Sequence, residues 1–213
     1  MEIKRYGEKG IRVVFGSEIS TATSDRIRRF HLHLKSLQPK GLIDIIPSFT
    51  TCLIVFDNSV TSFDAVASIL REEERALEQI EIDPPAVHDI PVAYGGTWGP
   101  DMGFVASHCH LTADDIITIH TSSVYTVFTI GFLPGFPYLG TLDRRLDTPR
   151  LETPRLRVPE GSVGIAQLQT GIYTFESPGG WRIIGRTEKK LFDYTKSPYS
   201  LMRIGDRVRF IPA

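Results

Sequence analysis

Gly131-Phe132-Leu133-Pro134-Gly135-Phe136-Pro137-Tyr138-Leu139-Gly140 opens the stretch that decides the fold. Pro159-Glu160-Gly161-Ser162-Val163-Gly164, Gln169-Thr170-Gly171-Ile172-Tyr173 and Ser177-Pro178-Gly179-Gly180-Trp181 follow it. Glycine permits positive φ and close backbone approach, while proline fixes φ and removes a donor. At this density, beside aromatic residues, the two describe stiff, shaped corners rather than a flexible linker. Such corners suit a β-barrel that needs tight turns, and equally a rigid loop surface of the kind that carries binding or catalysis.

Around these corners, short apolar runs recur with turn residues between them: Val124–Ile130, Ser162–Ala166, Gly171–Phe175, Trp181–Arg186 and Arg207–Phe210. That punctuation predicts a closed or nearly closed barrel. Upstream, His88 to Tyr94 alternates like a strand. Residues 101 to 109 and 112 to 120 read as two short helices, the second opened by the box Thr112-x-x-Asp115. The first part of the chain has a different rhythm. Gly10–Gly16, Leu42–Ile46 and Thr50–Phe56 are β-rich runs. Ile27, Phe30, His31, Leu34 and Leu37 recur at helical spacing until Pro39-Gly41 stops them. Phe63, Val66, Ala67, Leu70 and Leu77 form a second apolar stripe, opened by the box-like Thr61-x-x-Asp64. Strand, helix, strand, strand, helix is the order of a split-βαβ, ferredoxin-like layer. The Pro84-Pro85 pair marks the change of rhythm. The expectation is an α+β chain with a ferredoxin-like domain over residues 1–82 and a β-barrel domain over residues 86–213.

Composition narrows the class of function. The 213 residues have room to bury real cores, and 24 Lys+Arg against 25 Asp+Glu leave a net charge of −1. Such a balance gives no footprint for nucleic acid or an acidic membrane surface. No apolar run is long enough to span a bilayer, and Met1–Tyr6 lacks the apolar region of a signal peptide, so a cytoplasmic protein is expected. Cys52 and Cys109 stand far apart and suit two reduced thiols.

The common catalytic motifs are missing, among them a phosphate loop, a nucleophile elbow and a HExxH metal helix. His108-Cys109-His110 on a helix points its two imidazoles to different faces, which does not suit one ion. His120 lies just before the first barrel strand, either near the glycine-rich surface or capping a helix C-terminus. Arg150, Arg155 and Arg157 sit in a proline-rich run that suits a carboxylate or phosphate. Their bland role is to be solvated and neutralised by Glu152 and Asp147. Trp181 fits either a stacking surface or a barrel plug. Gln169, Thr170 and Tyr173 supply neutral hydrogen-bonding groups around Gly171 that suit a small amide.

These residues also carry a resemblance. Ile90-Pro91-Val92-x-Tyr94-Gly95-Gly96 with Gly99-Pro100-Asp101 looks like the opening of the second domain in the allophanate hydrolase subunit 1 family. That family includes the kinase inhibitor KipI and the B subunit of bacterial 5-oxoprolinase. The four glycine-rich blocks, Pro149-Arg150, Pro154-Arg155, Gly185-Arg186-Thr187 and Gly205-Asp206-x-Val208-x-Phe210 resemble its signature blocks in order. Two departures stand out: Gln167-Leu168 where members usually carry a glycine, and Thr174 where they usually carry proline.

The resemblance implies a ferredoxin-like domain followed by a cyclophilin-like barrel. It further implies a subunit that acts with a larger KipA-like partner (allophanate hydrolase subunit 2) and a LamB/YcsF-type subunit in ATP-dependent opening of 5-oxoproline to glutamate. ATP is implied for the complex, without saying which subunit holds it. His120, Phe136, Tyr138, Arg150, Arg155, Gln169, Thr170, Tyr173, Trp181 and Arg186 are then the residues expected to face substrate or partner. The other branch of the family implies inhibition of a sensor histidine kinase, with Phe132, Phe136, Tyr138 and Trp181 as a docking patch.

Overall fold

Alternation in β2 (Gly10–Val14) and β4 (Thr51–Phe56) turns Ile11, Val13, Cys52, Ile54 and Phe56 to one side of a sheet, where all five are buried. In the computed structural model, which describes residues 1–213, that side is covered by α1 (Thr21–Leu37) and α2 (Phe63–Glu74). Ile27, Phe30 and Leu34 of α1 and Val66 and Leu70 of α2 complete one core with them. Full burial of each such side chain is worth about 1.5–3 kcal/mol. This core belongs to the first of two compact units, Met1–Pro84. With β1 (Glu2–Tyr6) and β3 (Leu42–Pro47), the strand order is β1-β2-β4-β3, with every neighbouring pair antiparallel. β2 and β3 therefore run parallel on either side of β4, joined through α1, which is the split-βαβ arrangement.

Two details differ from the sequence reading. β1 is a strand although it is Glu-Ile-Lys-Arg-Tyr; as an edge strand it meets solvent, and charges there discourage edge-to-edge association. It fills the place beside β2 that a strand following α2 takes in the ordinary ferredoxin-like order. The cap of α2 is Ser62, whose Oγ accepts from Ala65 N at 3.2 Å. Thr61 still belongs to the preceding turn, its N–H donating to Asp57 O at 3.0 Å.

The second unit, Pro85–Ala213, is a closed barrel of seven strands. In chain order these are β5 (Val87–Tyr94), β6 (Val124–Ile130), β7 (Pro137–Gly140), β9 (Ser162–Ala166), β10 (Gln169–Ile172), β12 (Arg182–Arg186) and β13 (Arg207–Pro212). They join in the order β10-β7-β6-β13-β5-β12-β9, and β9 pairs back to β10. β8 (Arg155–Val158) and β11 (Ser177–Gly179) form a separate two-stranded ribbon. α3 (Met102–Cys109) and α4 (Ala113–Ser122) bury Met102, Val105, Ile116 and Ile119 against barrel residues such as Val92, Val127, Ile165 and Phe210. The expected box is present at α4, with Thr112 and Asp115 bonding each other's backbone N–H. β7, β8 and β11 fall where the sequence reads as loop, because proline and glycine mask short strands. β10 begins at Gln169 and ends at Ile172, earlier than the apolar run suggests. The β9–β10 hairpin turns through Gln167 at φ 53°. A glycine meets that conformation freely, whereas other residues are disfavoured by roughly 1–2 kcal/mol.

Residues 81–86 have no regular structure and are almost wholly exposed. Limited digestion with a glutamate-specific protease is expected to cut first at Glu78 or Glu81 and to leave a stable fragment that ends with the barrel. First cuts elsewhere in either unit would show instead that the two do not hold independently.

Candidate functional site

The glycines of the signature blocks make room for rings. A Cβ on Gly171 would lie 2.9 Å from Phe136 Cζ and 3.0 Å from Trp181 Cζ3; one on Gly179 would lie 2.3 Å from Tyr173 Oη. Phe136 meets Tyr138, Tyr173 and Trp181 edge-to-face, with centroids 4.9, 5.3 and 5.7 Å apart. Such pairs add about 0.5–1.5 kcal/mol each beyond burial. Phe136, Tyr173 and Trp181 are buried, together with Val158, Ala166 and Ile183. Trp181 is thus a plug of a small second core and not an open stacking surface. Tyr138 is half-buried, Phe132 stands out at 60 % exposed with φ 68°, and the exposed Arg150 holds its Cζ 5.9 Å from the Trp181 ring.

Arg155 is only partly solvated, and neither Glu152 nor Asp147 neutralises it. Its two Nη groups bind both oxygens of the buried Asp101 at 2.9 and 2.8 Å. Asp101 also accepts from Ile183 N at 2.6 Å, and the Arg182 guanidinium, stacked 3.4 Å over Phe104, comes within 4.0 Å. Arg157 pairs with Glu176 instead. The Asp101 cluster ties the start of α3 to β8 and β12. In the turn leading to it, Gly95 N and Asp101 N donate to Ile184 O and Ile183 O, both at 3.0 Å. Gly99 is required there, since a Cβ would sit 2.2 Å from Ile184 O.

His120 is fully buried in the last turn of α4; it meets the glycine-rich block from the inside, at Thr170, and does not cap its helix, which Ser123 does. The Thr170 hydroxyl donates to Gly164 O at 3.1 Å, so it accepts from His120 Nε2–H at 2.9 Å. His120 Nδ1 then accepts from Tyr94 Oη at 2.7 Å. Phe210 stacks 4.4 Å from the imidazole. Burial pushes the His120 pKa down to about 3, so the ring is neutral with both nitrogens engaged. Thr170 is consumed by the same chain of hydrogen bonds, and Gln169 is a half-buried residue at the start of β10.

One residue of the expected set lines the larger of two adjoining clefts: Arg186. β12 pairs with β5 only at Gly185↔Tyr94 and Arg186↔Ala93, while β13 pairs with β5 from Val87 to Val92. Where residues 187–189 leave the ladder, a cleft of about 540 Å³ opens between them and Asp89, Pro91, Ala93 and Trp98. Arg186 Nε donates to Glu160 O at 2.9 Å, and its Cζ lies 5.0 Å from the Trp98 ring. A smaller cavity of about 250 Å³ shares Arg186 and is lined by Tyr173 and Thr174. Thr174 Oγ1 is buried without a partner, a cost that a proline at this position would not carry. Sequence reasoning passes over Asp101, Tyr94 and Trp98 as site residues; the first two stand inside the signature blocks, and Trp98 stands between them.

A split-βαβ layer and a closed barrel with two short helices define an α+β protein. Residues 1–202 match the carboxyltransferase domain, subdomain C and D, and the chain belongs to that family. It is 36 % identical over 222 residues to the B subunit of 5-oxoprolinase from Bacillus subtilis (strain 168), covering 99 % of this chain and 92 % of the relative. With the B subunit of 5-oxoprolinase from Escherichia coli O157:H7 it shares 39 % identity over 209 residues, 97 % of this chain and 93 % of the relative. Among solved structures, TTHA0988 superimposes with a TM-score of 0.84 at 33 % identity. That match takes in 96 % of this chain but 40 % of the other.

The buried polar groups can be tested by their effect on stability. Arg155→Ala leaves the Asp101 carboxylate short of its main partner and is expected to destabilise the protein by about 1–3 kcal/mol, read as a fall in melting temperature. A variant as stable as the parent would mean that Asp101 finds other partners. His120 is held at a pKa of about 3 against 6.5 in the unfolded chain, so the unfolded state binds the extra proton. Its contribution to stability is therefore complete above pH 6.5 and is lost as pH falls toward 3, at up to about 1.4 kcal/mol per pH unit. His120→Asn is expected to flatten the stability–pH curve by about one proton over this range; an unchanged slope would show that the histidine titrates normally.

Proposed function

We propose that this chain is the B-type subunit of an ATP-dependent 5-oxoprolinase, an amide hydrolase that opens the lactam of 5-oxoproline to glutamate. The observation that carries the reading is the near full-length match to two relatives of that name. The chemistry of the barrel supports a shared site. His120 is neutral and bonded through both nitrogens, and Asp101 is bonded by Arg155 and Ile183 N, so neither is free to act as a base. A base and a nucleophile then come from other chains, a KipA-like subunit and a LamB/YcsF-type subunit. Of the arginines expected to face the substrate carboxylate, Arg155 is committed to Asp101, while Arg150 and Arg186 make no ion pair with a carboxylate. Ser20, Ser62 and Thr112 cap the starts of α1, α2 and α4 with their own side chains, and a carboxylate, Asp101, stands at the start of α3. These helix starts are less open to a phosphate, which favours a partner subunit as the holder of ATP.

The regulatory alternative, inhibition of a sensor histidine kinase, rests on an aromatic docking patch. Phe136 and Trp181 are buried and Tyr138 is half-buried, so only Phe132 remains to offer one. The test is reconstitution. The purified chain alone is expected to show no 5-oxoproline-dependent ATP hydrolysis, and its addition to the two partner subunits is expected to restore it. Activity of the chain alone, or full activity of the partners without it, overturns the reading.

A further inference from the structure

Of the charged side chains that line the large cleft, Asp89 is matched: Arg209 binds both its oxygens at 2.8 Å. Arg186 and Lys189 are held differently. Arg186 is anchored through Nε to Glu160 O, and Lys189 through Nζ to Asp89 O at 3.1 Å. Neutral carbonyls fix both side chains and leave both cations without a directly bonded carboxylate, although Asp89, Glu188 and Ala213 line the same cleft. Asp89 is already claimed by Arg209, and Glu188, also in the lining, is exposed and paired with neither cation. Because Nε is held and the guanidinium is set against Trp98, the two Nη groups form a pre-oriented fork, the arrangement that favours planar, bidentate recognition of carboxylates.

Part of the cleft is apolar, while Thr187 and Ala213 also line it. Trp98, Pro91 and Ala93 form one wall, with Trp98 47 % exposed. A volume of about 540 Å³ lies in the usual range for small-molecule sites. The backbone offers little to a phosphate: Pro91 has no N–H, Thr187 N donates to Gly161 O, and Lys189 N donates to Thr187 Oγ1. A flat body and one carboxylate match this wall and this fork better than a tetrahedral dianion does.

We propose that this cleft binds a small carboxylate with a flat, weakly polar body. The carboxylate lies across the Arg186 fork with Lys189 beside it, and the body rests on Trp98, Pro91 and Ala93. The proposal deepens the 5-oxoprolinase reading and rests on it for the choice of probe, 5-oxoproline. Its test uses the isolated full chain without partners or ATP, so failure of binding and failure of reconstitution are separate results.

The indole N–H signals of Trp98 and Trp181 are followed by NMR and assigned with Trp98→Phe. Titration with 5-oxoproline is expected to shift the Trp98 signal saturably. Pyrrolidin-2-one, the same lactam without the carboxylate, and inorganic phosphate are each expected to bind at least about tenfold more weakly, a difference of roughly 1.4 kcal/mol. Arg186→Gln is expected to weaken 5-oxoproline binding to the same degree. Lys189→Met, at an exposed position, gives a second variant that keeps the fold if Arg186→Gln does not, and is expected to weaken binding severalfold. The proposal is overturned by the absence of a saturable Trp98 shift, by pyrrolidin-2-one or phosphate binding as tightly as 5-oxoproline, or by unchanged affinity in a folded variant.

Discussion

A carboxylate buried inside a barrel protein is tolerable only when its charge is answered on the spot, and Asp101 meets that condition in a way that organises its surroundings. Ionised groups lose several kcal/mol of hydration on burial, and only close, well-aligned partners restore it. Arg155 answers with both ends of its fork, and Ile183 N adds a third hydrogen bond. These partners come from β8 and β12, so satisfying one charge fixes the ribbon and the barrel wall to the start of α3. The turn before Asp101 is drawn onto β12 by the same geometry, and only glycine fits at position 99. Trp98 lies in that turn. Its place beside Arg186, at the end of β12, is a consequence of how Asp101 is held.

The glycine-rich blocks obey a related constraint. Gly135, Gly161, Gly171 and Gly179 stand where aromatic side chains or backbone oxygens would come within 3 Å of a Cβ, closer than a side chain tolerates, while Gly131 and Gly180 have room. The rings they admit are buried against each other, so these loops are strands and corners of a packed wall. Rigidity in this region therefore comes from close packing and not from proline alone.

How much of this is legible in the sequence depends on the range of the interaction involved. Local periodicity places α1, α2, β2, β4, β6 and β9 well, because burial on one face repeats every few residues. β1 is hidden by its charges and β7, β8 and β11 by proline and glycine, since pairing with a neighbour, and not composition, makes them strands. The site is less legible. Arg155 reads as a surface arginine because its partner lies 54 residues away in sequence. His120 reads as a surface or capping residue, yet its partners Tyr94 and Thr170 come from two other elements. Arg186 alone is both selected from sequence and found lining the large cleft, while Trp98 carries no signal until the fold brings it alongside.

The contrast between these polar groups separates structure from function within one barrel. Asp101, His120 and Thr170 have their hydrogen-bonding capacity met inside the chain, and groups so satisfied hold a fold but have nothing left to offer a substrate. Arg186 and Lys189 are anchored at the surface to neutral carbonyls, which orient a cation without cancelling it. Such solvated cations add little to stability. Two of them held beside an exposed tryptophan are better explained by recognition of an anion. Under the proposed function, such a cleft would hold one end of a small anion while the reacting bond is presented to a neighbouring subunit.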